Sequence, residues 1–323
     1  MQKVKDFLLH SKTLAVAVSV TLILLITSWS YLNSYFNKIN YQEQTPGADI
    51  NTNNISNELK QNSAVLDENK DPLTNKNIVN ILLIGQDKSP GEENARSDSM
   101  IIATVNKNSN SIKLTSLMRD MYVRIPGYAN NKINSAYAFG GMDLLTETVE
   151  ENFLIAIDGC IEVDFSGFEK IIDKIGGVDI ELNKYETYYL SSSSGLSLKE
   201  GINILTGETA LEYARIRYIG NDDYERTERQ RNVLVAVYDK LKEPDIKTLL
   251  ELADDILPMV TTNLTKSQIL SLVTNIFFMD ISDIETYRIP ADGKFVPTTI
   301  QEMSVLVPDI SENRLLLKEY IGY

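Results

Sequence analysis

The stretch Ile78–Gly85, IVNILLIG, decides the fold. A continuous run of β-branched residues and leucines, closed by a glycine, reads as a strand buried on both faces. Two further strands follow it, MIIATV (100–105) and IKLTSLM (112–118). The polar turn NKNSNS (106–111) joins them, so the spacing predicts a hairpin. Helical patterning begins at MDLLTETVEENF (142–153) and returns after Ser166, where Phe168, Ile171, Ile172 and Ile175 recur. The glycines of IGGVDIEL (175–182) stop that helix and start another strand. Helices are also expected over GETALEYAR, most of ERTERQRNVLVAVYDKL, and the segment after Pro244. Strands alternating with helices around an apolar strand give an α/β layered sheet. Near the C-terminus, KSQILSLVTNIFFMD reads as an amphipathic helix packed on the core, and ETYRIPADGKFVPTTI as a strand and loop completing the sheet. Met121, Met142, Phe277 and Phe278 have two readings, ordinary core and the wall of a lipid pocket, and core is favoured.

Upstream of this folded part lies a different kind of chain. From Thr13 to Asn37 no side chain is charged, and TLAVAVSVTLILLITSW is densely apolar. At about 1.5 Å per residue such a run reaches roughly 37 Å, enough to cross a hydrocarbon core. Lys3, Lys5 and Lys12 precede it against Asp6 alone, which keeps the short tail cytoplasmic. Trp29, Tyr31, Tyr35 and Phe36 gather at the far end. A cleaved signal peptide is the competing reading, but no small-x-small cleavage pattern follows the run. The division expected is a cytoplasmic tail (1–12), a transmembrane anchor (13–36), a flexible stalk (37–77) and an extracytoplasmic domain (78–323). The stalk is rich in asparagine and short of large apolar residues, so it cannot fold alone.

Composition removes whole classes of chemistry. In 323 residues there is one cysteine, Cys160, and one histidine, His10. An internal disulfide, multi-cysteine metal sites and histidine-based triads are therefore excluded. A net charge of -14 argues against nucleic acid as a partner. The arginines are unevenly placed: ten in all, none before Arg96, and five between 215 and 231. Arg215 and Arg217 share one side of an extended segment, and Arg226 and Gln230 share one helical face, with Arg229 beside them. Arg96 and Asp98 precede a strand, Asp87 follows the first buried strand, and Arg119 follows the third. Ends of sheet strands are where open α/β folds gather ligand groups.

Plainer readings exist for each. Asp87 and Asp98 suit turns, Asp222 or Asp223 suits a helix cap, and ERTERQR suits a solvated face of alternating charge. Arg215 and Arg217 have Glu208 and Glu212 as possible partners. Against these stands chemistry: guanidinium forks match phosphate oxygens, and paired carboxylates suit magnesium.

The succession NILLIGQD, RSDSMIIATV, SLMRDMYVRIPG, KINSAYAFGG, VDFSGFEKIIDKIGGVDI, LTGETALEYARIR and DDYERTERQR resembles the LytR–CpsA–Psr family over roughly residues 78 to 242. The resemblance implies a three-layer α/β/α sandwich around a mixed central sheet, with an apolar pocket for a polyprenyl tail and an N-terminal membrane helix. It implies a phosphotransferase outside the cell membrane. Its donor is a glycopolymer, wall teichoic acid or capsular polysaccharide, on undecaprenyl pyrophosphate, and its acceptor is peptidoglycan. Carried over by position, Asp87 and Asp98 match the family's metal-associated aspartates, for Mg2+ or another divalent ion such as Mn2+. Arg96, Arg119, Arg215, Arg217 and Arg226 match its pyrophosphate-binding arginines, and Gln230 its glutamine on the same helix. Lys132 and Asp223 are weaker matches, and Arg124, Arg229 and Arg231 are left as surface residues. Asp98, Arg119 and Arg217 are the expected catalytic set, with Asp98 the candidate general base. A polyprenyl-pyrophosphate hydrolase uses the same groups, and a transcriptional attenuator or a non-enzymatic polymer holder are further alternatives.

Overall fold

The computed structural model describes residues 33–42, 72, 74–86, 97–217, 223–242, 244, 246–281 and 283–323. Most of the expected membrane span lies outside them, and among the described residues no helix is long and apolar enough to cross a membrane.

The chain enters as a helical turn at 33–36 and a short strand, β1 (Asn40–Tyr41). The apolar run then forms β2 (Ile78–Gln86), followed by β3 (Ser97–Asn106) and β4 (Ser111–Leu117), the expected hairpin. A small pair, β5 (Tyr122–Val123) and β6 (Asn131–Lys132), leads into helix α1 (Ile133–Phe153). That helix begins nine residues before Met142 because two helical pieces meet at Gly140 and Gly141; Gly141 sits at φ 63° and ψ -151°, open to a residue without a Cβ. Strand β7 (Gly159–Asp164) passes into α2 (Phe165–Lys174), whose first turn is capped by Asp164 through Gly167 N–H. Next come β8 (Val178–Leu182), α3 (Lys184–Ser194), β9 (Gly201–Leu205) and α4 (Gly207–Arg215). Helix α5 (Asp223–Leu241) and α6 (Ile246–Ile256) precede β10 (Thr261–Thr262) and α7 (Lys266–Phe278). The chain closes with β11 (Ile284–Ile289), β12 (Phe295–Ile300), β13 (Met303–Pro308) and α8 (Ile310–Ile321).

The main sheet is mixed, in the order β1-β10-β7-β2-β3-β4-β11. Strand β2 lies between antiparallel β3 and parallel β7, and both its faces are covered, as its unbroken apolar run requires. On one face Leu82, Ile84 and Ile102 pack against Leu145 and Phe153 of α1 and Leu317 of α8. On the other, Ile101, Val105 and Leu114 meet Leu234 of α5 and Leu272 and Ile276 of α7. Two helical layers around one sheet give the α/β/α sandwich. A second cluster joins α2, α4 and α5 to the β8–β9 pair through Ile172, Ile180, Tyr213 and Val233.

Several expectations change. The expected strand completing the sheet is β11, parallel to β4, but the stretch expected as loop holds a strand, β12, which pairs with β13 outside that sheet. Met121 and Met142 are core residues, whereas Phe277 and Phe278 line no lipid pocket and are 56% and 79% exposed. Residues 37–42 are not stalk. Strand β1 joins the sheet edge beside β10, Ile39 is buried, and Lys38 pairs with Asp254.

Candidate functional site

A cavity of about 250 Å³ lies between the sheet and helices α2, α4 and α5. Leu83, Ile101, Ile161, Ile171, Leu234 and Val237 make most of it apolar, and Asp98, Arg215, Arg217, Arg226 and Gln230 make its mouth polar. One helix contributes both kinds of lining. On α5, Arg226, Gln230, Val233 and Val237 follow each other at four-, three- and four-residue steps, so they share a face. That face is charged in its first turn and greasy in its last. The distance from Arg226 to Val237 along the axis is roughly 16 Å.

The mouth is built from strand and helix ends. Asp98, in the second position of β3, accepts a hydrogen bond of 2.8 Å from Arg119 Nη1, just past β4. Arg119 Nε stands 3.5 Å from Asp223 Oδ2, at the start of α5, and 3.8 Å from Asp120 Oδ2. Asp223 Oδ1 is 3.4 Å from Arg226 Nη2. Asp98, Arg119, Asp223 and Arg226 thus form one chain of alternating charge across three elements. Arg215 closes the last turn of α4 and lies over the Phe165 ring at 4.7 Å. Arg217, two residues on, makes no ion pair among the described residues and faces the same cavity.

The charges are not balanced by these contacts. Arg119 Nε, Arg226 Nε and Arg226 Nη1 are buried without a hydrogen-bond partner. A buried donor left unmade costs about 1–3 kcal/mol, and more when charged. Burial, with Arg119 and Arg217 alongside, pushes the Arg226 guanidinium down to about 10 despite Asp223 and Asp98. Burial also pulls Arg119 down, but Asp223, Asp120 and Asp98 outweigh it and hold this guanidinium above its usual value. Both remain cations at neutral pH. A buried Arg226 guanidinium with two unpartnered N–H groups, beside Arg215 and Arg217 at the polar end of an apolar cavity, is suited to an anionic head on a greasy tail.

Not every expected residue sits at the cavity. Lys132 lies one step behind, its Nζ 2.7 Å from Asp120 Oδ1. Asp120 itself, adjacent to Arg119 in the sequence, was not singled out as functional. It braces Arg119 and Lys132 together, and its position next to an arginine was the available signal. Burial raises its carboxyl, yet the Lys132 hydrogen bond, the contact with Asp223 and the charges of Arg119 and Lys132 hold it below its ordinary value. Arg229 and Arg231 are not surface residues. Arg229 is 3% exposed and donates to Glu186 and Glu225, while Arg231 Nη1 donates to Ser116 Oγ at 2.8 Å. The alternating-charge stretch is therefore mostly internal, because α5 is sandwiched between the sheet and the β8–β9 layer. Arg124 is exposed, 3.8 Å from Glu151.

Asp87 and Arg96 lie outside the described residues, as does the whole of 87–96. The ends of that segment attach to Gln86 and Ser97, which are paired across the β2–β3 ladder. Gln86 is held by Glu162, which also accepts 2.6 Å from Tyr137 Oη. For a metal, the described donor is the Asp98 carboxylate. It is a hard oxygen donor fitting magnesium or manganese, but no group of three acidic, histidine or cysteine residues that could hold an ion occurs among the described residues.

Known proteins resemble this chain. The chain is 32% identical over 256 residues, 77% of its length and 76% of the relative's, to the regulatory protein MsrR of Staphylococcus aureus (strain COL). It is 37% identical over 218 residues, 67% of its length and 69% of the relative's, to the polyisoprenyl-teichoic acid–peptidoglycan teichoic acid transferase TagU of Bacillus mycoides (strain KBAB4). Among solved structures it matches the LytR-CPS2A-psr family protein YwtF (TagT) with bound octaprenyl pyrophosphate lipid. The TM-score is 0.60 at 26% identity, covering 77% of this chain and 92% of that one. The family model for LytR_cpsA_psr matches residues 37–318, beginning where the folded chain begins at β1. With that match spanning most of its length, the chain belongs to the LytR–CpsA–Psr family.

Proposed function

We propose that this protein is a membrane-anchored phosphotransferase of the cell envelope. It moves a glycopolymer, of the wall teichoic acid or capsular polysaccharide kind, from polyprenyl pyrophosphate to peptidoglycan through a phosphodiester bond. The observation that carries this reading is the buried Arg226 guanidinium, whose Nε and Nη1 have no hydrogen-bond partner, on the wall of an otherwise apolar cavity beside Arg215 and Arg217. The relatives' names supply the polymer and acceptor classes.

The chain's own residues divide the work. The apolar wall between the sheet and α5 takes the polyprenyl tail. Arg215, Arg217 and Arg226 receive the pyrophosphate oxygens, and Gln230 adds a neutral donor one turn deeper. Arg119, oriented by Asp98 and braced by Asp120, stabilises charge on the departing polyprenyl phosphate. Lys132 keeps Asp120 in place. Arg96, in the segment outside the described residues, is assigned to the same anion. Asp98 and Asp87 would hold a magnesium ion, which would supply neutralisation of phosphate charge. Asp98, accepting from Arg119, keeps that guanidinium in place. A hydroxyl of peptidoglycan attacks the phosphorus nearest the glycopolymer, the bond from that phosphorus to the polyprenyl phosphate breaks, and the hydroxyl proton is taken up by the released phosphate.

The test supplies labelled lipid-linked polymer to the full-length protein in vesicles, with and without peptidoglycan. A polymer–peptidoglycan adduct is expected, at a rate lowered about 10- to 150-fold by Arg217→Ala, equivalent to the 1.5–3 kcal/mol of a charge-assisted contact. Free phosphate products alone, whether or not acceptor is present, establish a hydrolase instead.

A further inference from the structure

Helix α7 has two apolar faces. Leu272 and Ile276 point inward, into the cluster with Leu83, Ile101 and Leu234. Those three also line the cavity, so α7 stands at its greasy end, away from the guanidinium groups. The outward face carries Lys266, Leu270, Val273 and Phe277 at successive steps of four, three and four residues, with Phe278 beside them. Leu270, Val273, Phe277 and Phe278 are 39%, 58%, 56% and 79% exposed, and no element among the described residues covers them. The chain carries a net charge of -14, yet no acidic residue occurs from 266 to 278.

What lies against this face is indicated at its first turn. Lys266 Nζ donates to Asn33 Oδ1 and Asn37 Oδ1, both at 2.7 Å. Asn33 and Asn37 belong to the end of the uncharged run that starts at Thr13. Helix α7 therefore begins where the proposed membrane span ends, and Phe277 is only about 16 Å further along its axis. A helix with apolar residues outward, a lysine at one end and no acids has the pattern of an interfacial helix.

We propose that the outward face of α7 lies in the outer-facing leaflet of the bilayer, making this helix the foot on which the domain stands. Leu270, Val273, Phe277 and Phe278 enter the headgroup–acyl boundary, and the greasy end of the cavity faces the membrane. A polyprenyl chain then passes from bilayer to cavity beside α7 without crossing water, and its pyrophosphate meets the arginines at the far end. This inference rests on the proposed anchor.

The experiment uses the full chain in phosphatidylethanolamine–phosphatidylglycerol vesicles, with an environment-sensitive dye on Phe278→Cys or Val273→Cys. Cys160 is fully buried and its thiol is pushed up to about 11, so only the introduced thiol reacts. Ile202→Cys, on the exposed strand β9, is the aqueous control. Trp29, the single tryptophan, reports the span itself. The expected result is a blue shift and loss of emission at 278 and 273 with nitroxide lipids, together with quenching of Trp29 and none at 202. Quenched Trp29 with an aqueous signal at 278 and 273 overturns the foot and leaves the anchor standing. A blue shift at 278 that nitroxide lipids do not quench means a second copy covers the face, which also overturns it. Unquenched Trp29 removes the anchor, and the foot with it.

Discussion

Arg226 is held in a position that is unfavourable without a ligand. Its side chain is 3% exposed, Nε and Nη1 have no hydrogen-bond partner, and two other guanidinium groups are close enough to lower its proton affinity. Asp223 keeps Arg119 as a partner when Arg226 is removed, so an apolar side chain of similar length relieves the desolvation and like-charge repulsion of this guanidinium without leaving Asp223 unpaired. Arg226→Met is therefore expected to unfold at an equal or higher temperature while losing affinity for octaprenyl pyrophosphate. A fall in Tm with lipid binding retained contradicts the role given to this residue. Asp120 makes the opposite case. Its folded carboxyl is held below the ordinary value, so its contribution is fully present above an unfolded pKa of about 4 and is lost as pH falls through the folded value. Glu147, Glu150 and Asp158 are raised, chiefly by burial, so their charged forms weaken the fold at neutral pH and this penalty is relieved on mild acidification. Urea midpoints are expected to rise as pH drops from neutral into the range where these raised carboxyls take up protons, and to fall at lower pH as Asp120 is protonated. Asp120→Asn is expected to flatten the fall, and Glu150→Gln to flatten the rise. An unchanged acid limb in Asp120→Asn contradicts the bracing assigned to it.

At the scale of elements, the cavity exists because α2 and α4 approach unusually closely. A Cβ on Gly207 would stand 2.1 Å from the Glu169 carbonyl oxygen, so the first residue of α4 has to be glycine, and its N–H is also fixed by Asp173 Oδ1 at 2.7 Å. Gly207→Ala pushes α4, which carries Arg215, away from α2. The expected cost is about 1–3 kcal/mol of stability, in the range for overpacking, read as a lower Tm together with weaker lipid binding. A variant with parental Tm shows that the helices separate freely. Such packing was not legible in the chain, although the elements were. Ile78–Gly85, the β3–β4 hairpin and α4 over GETALEYAR follow from local apolar runs, turn residues and glycines, which act over a few positions. Arg229 and Arg231 read as surface residues because a charged heptad looks the same on a solvated helix face and on a covered one; only Glu186 of α3 and Ser116 of β4 distinguish them. The gathering of Asp98, Arg119, Arg215, Arg217, Arg226 and Gln230 followed from the family motifs, whereas the Asp120 brace needed coordinates. Strand β12 reads as loop in the sequence because Pro297 interrupts its β-branched run, and its partner β13 lies only a turn further on.

For the whole molecule, the entry of the chain matters as much as its core. Asn40 and Tyr41 pair with Thr261 and Thr262, Ile39 is buried, and Lys38 meets Asp254, so the stretch after the proposed span is a structural part of the domain. Both ends of segment 43–77 return to the same sheet, so its length does not set how far the domain stands from the bilayer. A secreted form begun at Ile78 is then more than an untethered enzyme. It strips the outermost strand, bares the edge of β10 and leaves Lys266 without Asn33 and Asn37, conditions that favour edge-to-edge self-association. Begun at Asn33, the same product is expected to stay monodisperse in size-exclusion chromatography, and equal behaviour of the two would remove the edge strand's protective role. Under the proposed anchoring, proteolytic nicking within 43–70 leads to a related outcome: the two fragments remain associated through β1, so release of the domain requires unpairing a strand as well as cutting a peptide bond.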